Sequence, residues 1–251
     1  MTEQYLYQVL LYSIFALTPL IFLILLFISA PYGRHHRSGW GIVMNNRLAW
    51  FWMELPAIVT ILIWFVLSDQ KNATTTLFIS LWQAHYVYRT FIFPARIKGS
   101  NKSFPMSLIL SAVVFNVING TINGLYLFHL SEHYDSSWLL RPATISGLLL
   151  FITGFIIHYQ SDSIILNLRQ EQPTGYGIPQ GKLFNYVTNP HYLGEVIQWT
   201  GWAILTWSVA GLSFAIFTLA NLLPRAIANH RWYKKQFDNY PKRKIFIPFL
   251  F

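Results

Sequence analysis

Seven long apolar runs dominate this sequence, and their length constrains the fold more than any other feature. A helix needs about 20 mostly apolar residues to cross the roughly 30 Å hydrocarbon core of a bilayer. Runs of this kind cover residues 5–29, 49–67, 74–93, 105–130, 143–166, 192–207 and 209–228. The last two adjoin and predict a tight helical hairpin. We therefore expect an all-α integral membrane protein, a bundle of seven transmembrane helices in a single domain covering residues 1–251.

The composition agrees with a membrane location. Hydrophobic residues make up 54% of the chain and charged residues 11%, whereas soluble domains carry about 25% charged residues. The chain contains no cysteine, which excludes disulfides, thiolate metal sites and cysteine nucleophiles. It also lacks a metal-ligand motif, a Rossmann GxGxxG fingerprint and a G-x-S-x-G elbow. We therefore predict no metal site. The first apolar run is too long for a cleavable signal and is interpreted as a spanning helix.

The basic residues predict an orientation. The formal net charge is +9, and the loops on one side of the predicted bundle, with the tail, hold 15 basic residues. These are Arg34, Arg37, Arg47, Arg96, Lys98, Lys102, Arg169, Lys182, Arg225, Arg231, Lys234, Lys235, Lys242, Arg243 and Lys244. The other side holds only Lys71 and Arg141. The positive-inside rule then places the C-terminus in the cytoplasm and the N-terminus outside. We interpret these charges as topology signals and contacts for anionic lipid or cofactor phosphates, not for nucleic acid.

Ionisable residues inside apolar runs are costly and are therefore candidate site residues. Glu54 lies in the second run, and Tyr86 and Arg89 lie in the third. Glu54 and Tyr86 would form a suitable pair for a ketone oxygen on which negative charge develops. The alternative is a structural ion pair between Glu54 and Arg89. The asparagine ladder at 116–123 is interpreted as interhelical packing.

A second group of polar residues extends from the fifth run to the tail. His158 and Asp162 are four residues apart, as are Glu195 and Trp199, so each pair shares one helix face. Further donors follow at Arg169, Tyr176, His191, Asn229 and Tyr233. A cytoplasmic, basic and donor-rich region of this kind could hold a phosphorylated cofactor.

Several separated motifs of this sequence resemble one known family. They are Tyr-Gly-Arg-His at 32–35, Glu-Leu-Pro at 54–56, His-Tyr-Val-Tyr-Arg-Thr-Phe at 85–91, Ile-Pro-Gln-Gly-Lys-Leu-Phe-Asn-Tyr-Val at 178–187, Leu-Gly-Glu-Val-Ile-Gln-Trp at 193–199 and the ending at 232–251. In this order they are similar to the steroid 5α-reductases, the 3-oxo-5α-steroid 4-dehydrogenases. The first three resemble that family's substrate region, and 178–187 and 193–199 resemble its cofactor region. The resemblance covers about residues 30–251.

The resemblance implies a seven-helix enzyme that takes NADPH from the cytosol and a lipid enone, a 3-oxo-Δ4 steroid, from the bilayer. It implies hydride transfer to C5, with Glu54 and Tyr86 as catalytic residues that bind and polarise the 3-keto oxygen. NADPH contacts are implied at Asp162, Arg169, Tyr176, Glu195, Trp199 and Tyr233. Further contacts are implied at His158, His191 and Asn229, which differ from the residue types of the human enzymes. Ser100 replaces a family arginine, so phosphate binding there would shift to Lys98 or Arg96.

Two other classes share part of this pattern. Trans-2-enoyl-CoA and polyprenol reductases have similar C-terminal motifs, but the enoyl-CoA enzymes lack the Glu-Leu-Pro element in this form. Membrane methyltransferases of the isoprenylcysteine or phospholipid type, which use S-adenosylmethionine, have an element similar to residues 189–195. The pair of Glu54 and Tyr86 and the ending at 232–251 have no role there. We therefore expect an NADPH-dependent steroid reductase, in the inner membrane of a bacterium or the endoplasmic reticulum of a eukaryote.

Overall fold

A computed structural model describes residues 2–97, 103–171 and 176–251 and consists mainly of long helices. The helices are α1 Glu3–Phe27, α2 Asn46–Leu67, α3 Ala73–Val87, α4 Phe93–Arg96, α5 Met106–Leu125, α6 Pro142–Glu171, α7 Pro190–Thr206 and α8 Val209–Gln236. A π-helical turn at Tyr88–Ile92 joins α3 to α4, and a second at Tyr126–Leu130 extends α5. Short 3₁₀ turns lie at Gly33–His35, Ser136–Leu140 and Lys182–Asn185. Strand β1 Val43–Asn45 pairs antiparallel with β2 Ser103–Pro105.

The described helices confirm the predicted helical membrane class. Five of them are long and apolar enough to span a bilayer, namely α1, α2, α5 with its π turn, α6 and α8. The other two long segments are different. The segment formed by α3 and α4 is interrupted by a π turn that carries Arg89, and α7 has only 17 residues. Seven spans therefore stay a prediction. The β1–β2 pair was not predicted, because strands of three residues leave no periodic pattern.

Several basic residues predicted to lie in loops or in the tail lie in helices, among them Arg169 and Arg96. The fifth apolar run was expected to end at residue 166, but α6 continues to Glu171 and holds Arg169 in its last turn. Arg96, expected in a loop, ends α4 and donates a hydrogen bond to Ser163 Oγ over 2.8 Å. Both corrections have the same cause. Helical backbone can continue past the apolar run, because a long basic side chain reaches polar surroundings from the end of a span.

Helices α6 and α7 pack antiparallel along a seam of four glycines, Gly147 and Gly154 on α6 and Gly194 and Gly201 on α7. A Cβ added at Gly154 would lie 2.5 Å from the carbonyl oxygen of Gly194, and one at Gly194 would lie 2.6 Å from the backbone nitrogen of His158. Real Cβ atoms do not approach backbone so closely. Because glycine has no side chain, the two backbones are in direct contact. Small residues at helix interfaces in membranes allow the same close approach. This contact fixes α6 against α7 where both carry site residues.

The asparagine ladder of α5 binds neighbouring helices, as predicted. Asn116 Nδ2 donates to the backbone oxygen of Met53 on α2 over 2.6 Å. Trp202 Nε1 on α7 donates to Asn123 Oδ1 over 3.0 Å. These bonds satisfy buried polar groups and hold α5 between α2 and α7.

The end of the bundle opposite the basic loops is closed by hydrogen bonds to the last turn of α7. The Tyr134 hydroxyl donates to the carbonyl oxygen of Thr206 over 2.6 Å, and Trp138 Nε1 donates to that of Leu205 over 3.0 Å. The last carbonyls of a helix have no partner within the helix, so these donors satisfy them. The predicted hairpin follows directly, with Trp207 in the left-handed conformation at φ 45°. Ser208 Oγ accepts a 2.9 Å bond from the backbone nitrogen of Gly211.

The predicted orientation can be tested with reporters. A reporter that is active only in the cytosol is expected to give signal when fused after Phe251, because 15 of the 18 basic residues flank that side. The same reporter placed in the acidic loop near Glu132 is expected to be silent. Signal from the loop and silence from the C-terminal fusion would reverse the orientation.

Candidate active site

A chain of buried ionic groups crosses the bundle from α2 to α6. Arg89 Nη2 lies 3.5 Å from Glu54 Oε1, and Arg89 Nη1 lies 3.7 Å from Asp162 Oδ2. The side chains are 10%, 14% and 7% exposed, respectively. Charged groups at this depth persist when they are paired with one another. The guanidinium group of Arg89 therefore bridges two carboxyl groups from different helices.

The π-helical turn and two aromatic rings hold Arg89 in place. One extra residue per turn shifts the register of side chains, and such turns occur frequently at functional sites. Arg89 lies in this turn, with its guanidinium carbon 4.3 Å from the ring centre of Trp50 and 5.0 Å from that of Phe93. Tyr88, the preceding residue, donates a hydrogen bond to Asp162 Oδ2 over 3.2 Å. The turn therefore places two consecutive side chains at the same carboxyl group.

His158 continues the chain of polar groups from α6 to α7. Its Nε2 lies 3.2 Å from Asp162 Oδ2, so the spacing of four residues does place both on one face. Its Nδ1 lies 3.2 Å from the carbonyl oxygen of His191 and 3.8 Å from Glu195 Oε2. His158 is 1% exposed. The glycine seam makes this possible, because Gly194 brings α7 against the backbone of His158.

Tyr86 lies in the aromatic core next to this chain. Its ring centre is 5.1 Å from that of Trp82 and 5.9 Å from that of Trp199, and it is 3% exposed. The ring centre of His85, the preceding residue, lies 5.0 Å from that of Tyr86 and 5.9 Å from that of His158. The structure therefore places Tyr86 beside the polar chain that includes Glu54. It places Trp199, for which a cofactor contact was predicted, within the same aromatic cluster.

A cavity of about 100 Å³ lies at the end of the bundle that carries the basic loops. Its lining includes three residues predicted to contact cofactor, Arg169, His191 and Asn229. A second, smaller cavity is lined by Arg169 together with Tyr176 and Tyr233. Eight of the nine predicted cofactor residues line these cavities or belong to the polar chain of Asp162, His158 and Glu195. The ninth, Trp199, lies in the aromatic core.

Three side-chain nitrogens of the larger cavity are buried without a hydrogen-bond partner among the described residues. They are Arg34 Nη1, Arg225 Nε and His191 Nδ1. A buried donor left without an acceptor is costly, so sites of this kind bind a ligand that supplies acceptor oxygens. Two of the three groups are guanidinium nitrogens, which pair especially well with phosphate. The chemistry of these donors fits a phosphorylated cofactor.

The segment Tyr32–His35, for which the resemblance implied a place near the substrate, lines this cavity. The guanidinium carbon of Arg34 lies 4.4 Å from the ring centre of Tyr233 and 5.0 Å from that of Trp232. His35 Nε2 lies 3.1 Å from Asn229 Oδ1, and burial is the main cause that lowers its pKa. In the sequence, the Tyr-Gly-Arg-His motif marks this segment as a candidate part of the site. In the structure, its Gly33 has a positive φ of 59°. The loop between α1 and β1 is too irregular for its direction to be predicted.

Ser100, which replaces a family arginine, and Lys98, one of the two phosphate contacts expected in its place, lie outside the residues that the structure describes. Arg96, the other candidate there, is described and bonds to Ser163, with its guanidinium carbon 5.3 Å from the ring centre of Tyr159. None of these three residues lines either of the two cavities. The basic residues that do line a cavity are Arg34, Arg169 and Arg225.

These features together define a helical membrane enzyme with a buried polar site that leads to a basic cavity. The family model described as 3-oxo-5-alpha-steroid 4-dehydrogenase matches residues 102–251. A steroid 5-alpha-reductase DET2 of Solanum lycopersicum is 36% identical over 256 aligned residues, covering 100% of this chain and 99% of the relative. The Arabidopsis thaliana protein of the same name is 40% identical, covering 91% and 90%. The 3-oxo-5-alpha-steroid 4-dehydrogenase 1 of Rattus norvegicus is 37% identical, covering 89% and 87%.

The chain belongs to the 3-oxo-5-alpha-steroid 4-dehydrogenase family, as its motifs predicted. It is an oxidoreductase. Family membership sets aside the alternative of a membrane methyltransferase. The roles of the individual site residues stay predictions.

Proposed function

We propose that this protein reduces the Δ4 double bond of 3-oxo-Δ4 steroids to 5α-dihydro products, with NADPH as the reductant. The observation that carries the proposal is the chain of contacts from Glu54 through Arg89 to Asp162 and His158. It connects a carboxyl group suited to a substrate ketone with the polar residues beside the basic cavity. The names of the relatives support the choice of a steroid.

At the substrate end, Tyr86 and Glu54 would hold the 3-keto oxygen. The guanidinium group of Arg89 contacts Glu54 Oε1, so we assign Oε2 of a protonated carboxyl group to the ketone. The Tyr86 hydroxyl is the second donor. Addition of hydride at C5 turns the enone into an enolate, and donors aimed at the oxygen stabilise the charge as it develops. Protonation at C4 then completes the saturation.

At the cofactor end, the buried donors of the basic cavity would bind phosphate groups. Bound NADPH would supply the hydride, and the protein supplies binding and orientation. Arg34 and Arg169 line both cavities and are the guanidinium groups we assign to the 2′-phosphate. His158, Asp162 and Glu195 lie deeper in the bundle, between this cavity and Glu54. We assign them to the part of the cofactor that faces the substrate.

The aromatic core gives the reaction a dry environment. Trp82 and Trp199 contact the ring of Tyr86, and they belong with Trp202 to one buried cluster in which each of the three tryptophans is at most 1% exposed. In a site from which water is excluded, a donor to the substrate oxygen acts in a low dielectric and is worth more than in water. Such a site also favours a flat, apolar substrate. A steroid has this shape.

The test compares substrates and cofactors for the purified protein in bilayers. Testosterone and progesterone are expected to drive NADPH consumption and to yield 5α-dihydro products, whereas a trans-2-enoyl-CoA is expected to be inactive.

NADPH is expected to bind more tightly than NADH, because Arg34 and Arg169 offer charge-assisted donors to the additional phosphate. Arg34→Gln should reduce this preference, and Arg231→Gln, a control at an exposed position on α8, should retain it. Consumption with the enoyl-CoA alone, or equal affinity for both cofactors, would contradict the proposal.

A further inference from the structure

The last residues of the chain form a small folded unit after α8, which we term the C-terminal knob and define as residues 244–251. The backbone nitrogens of Phe246 and Ile247 both donate to the carbonyl oxygen of Phe251 over 2.7 Å, which closes the end of the chain on itself. Phe246 is 2% exposed and anchors the unit to the protein. The knob is therefore an ordered element with a fixed surface.

The outer surface of the knob is strongly apolar. Phe249 is 77% exposed and Leu250 is 76% exposed, and Ile247 and Phe251 are both more than 40% exposed. Tyr186, itself 48% exposed, lies beside them with its ring centre 5.4 Å from that of Phe249. An exposed apolar cluster of this kind marks a binding surface. Phe249 has a φ of 66°, a left-handed conformation that is uncommon for a bulky residue, and its ring still points outward.

Basic residues surround this apolar surface. Lys182, Lys242 and Lys244 are exposed, and residues 239–251 contain no aspartate or glutamate. Aromatic and aliphatic side chains beside lysines are the pattern of segments that lie in the interface of an anionic membrane. Only seven residues, 237–243, separate the knob from α8, a candidate membrane span. A segment this near to the end of a span can reach the headgroups.

The knob is tied to the loop that borders the proposed cofactor site. The backbone nitrogen of Lys244 donates to the carbonyl oxygen of Tyr186, and that of Thr188 donates to the carbonyl oxygen of Lys244, both over 2.9 Å. Arg243 Nη1 donates to the carbonyl oxygen of Pro179 over 2.7 Å. Pro179 lines the smaller cavity. The position of the knob and the position of this loop are therefore linked by hydrogen bonds.

We propose that the C-terminal knob is an interfacial anchor that inserts Ile247, Phe249 and Leu250 between anionic lipid headgroups and thereby holds the loop 176–188 against the cofactor site. The partner is the surface of a bilayer with anionic lipid. Apolar side chains of interfacial segments enter the boundary between headgroups and acyl chains, and the lysines attract the negative surface. The effect on cofactor binding rests on the proposed function. The proposed location of the knob at the membrane surface does not depend on that function.

The location can be measured with a single spin label, because the chain has no cysteine. We compare Leu250→Cys with Asn239→Cys, an exposed polar position in the same tail, in bilayers of phosphatidylcholine with phosphatidylglycerol. The label at 250 is expected to be accessible to oxygen and shielded from a water-soluble nickel chelate. The label at 239 is expected to be accessible to the chelate. Equal access of the chelate to both positions would overturn the anchor, and so would shielding of position 250 from both reagents, which would indicate a protein partner.

The coupling to the cofactor can be measured with the full chain in two membranes. NADPH is expected to bind more tightly when phosphatidylglycerol is present than in phosphatidylcholine alone. A lysine near an anionic surface contributes about fivefold, so Lys242→Gln combined with Lys244→Gln should remove most of this difference. Lys71→Gln, on the opposite side of the bundle, should leave it unchanged. NADPH binding that is equal in both membranes would overturn the coupling. Absence of any NADPH binding would instead contradict the proposed function and would leave the spin-label result standing.

Discussion

Glu54→Gln is expected to lower turnover of a 3-oxo-Δ4 steroid by about 10²–10³, the usual cost of removing one oxyanion donor. Glutamine keeps the shape of the side chain and some of its hydrogen bonding, so binding of NADPH and the melting temperature should change little. Tyr86→Phe is expected to have an effect of similar size, because the lost hydroxyl is the second donor to the ketone. Tyr126→Phe, at a tyrosine in the π turn after α5, is the matched control and should be silent.

The double variant separates this proposal from independent effects. If Glu54 and Tyr86 hold the same oxygen, removal of both should cost much less than the product of the single losses, since residues that act as a unit are strongly non-additive. Turnover, NADPH affinity and melting temperature are measured for each single variant and for the pair. A loss of turnover in the double variant that equals the product of the two single losses would show that the two groups act separately.

The ion pair with Arg89 supports a second interpretation, in which Glu54 has a structural role. The same variants test it. The two side chains do approach to 3.5 Å, so Glu54 has a structural partner as well as a proposed catalytic role. If the pair is only structural, Glu54→Gln and Arg89→Gln should both lower the melting temperature, and Tyr86→Phe should be nearly silent. A well-folded Glu54→Gln protein with normal turnover would show that the catalytic assignment is wrong.

Gly154→Ala and Gly194→Ala are expected to destabilise the protein and to reduce activity together. A methyl group at either position would collide with backbone of the other helix, at 2.5 Å for Gly154 and 2.6 Å for Gly194. Backbone cannot move aside as a flexible side chain can, so α6 and α7 must separate. Overpacking of a buried contact costs about 1–3 kcal/mol, and sometimes more. We expect a clearly lower melting temperature for each variant.

Activity should fall further than stability alone explains, because the seam aligns the site. Gly194 precedes Glu195, and its contact is with the backbone of His158. Ser146→Val adds volume on the exposed face of α6 and serves as the control. The two glycine variants are compared with it by thermal unfolding in detergent and by turnover at a temperature where all three are folded. If they match the control in both measurements, α6 and α7 do not pack as closely as described.

The helices and part of the site could be predicted because they leave periodic signals in the sequence. Apolar runs located the long helices, and the spacing of four residues placed His158 and Asp162 together. The contact between Arg89 and Asp162 could not be predicted, because a π turn changes the direction of side chains without a sequence signature. The position of Arg34 depends on an irregular loop, for which no periodicity exists. The glycine seam does leave a signal in the sequence, since its glycines are spaced seven residues apart on both helices.

The hydrogen bonds that close the far end of the bundle have a consequence for the supply of reactants. Tyr134 and Trp138 bind the last carbonyls of α7, and both cavities lined by arginine lie at the other end. Under the proposed function, a polar reactant would enter and leave through the end that carries the basic loops. We expect its concentration in one compartment alone to set the thermodynamic drive of the reaction. The redox ratio of the compartment beyond the closed end should have no influence on the direction of turnover.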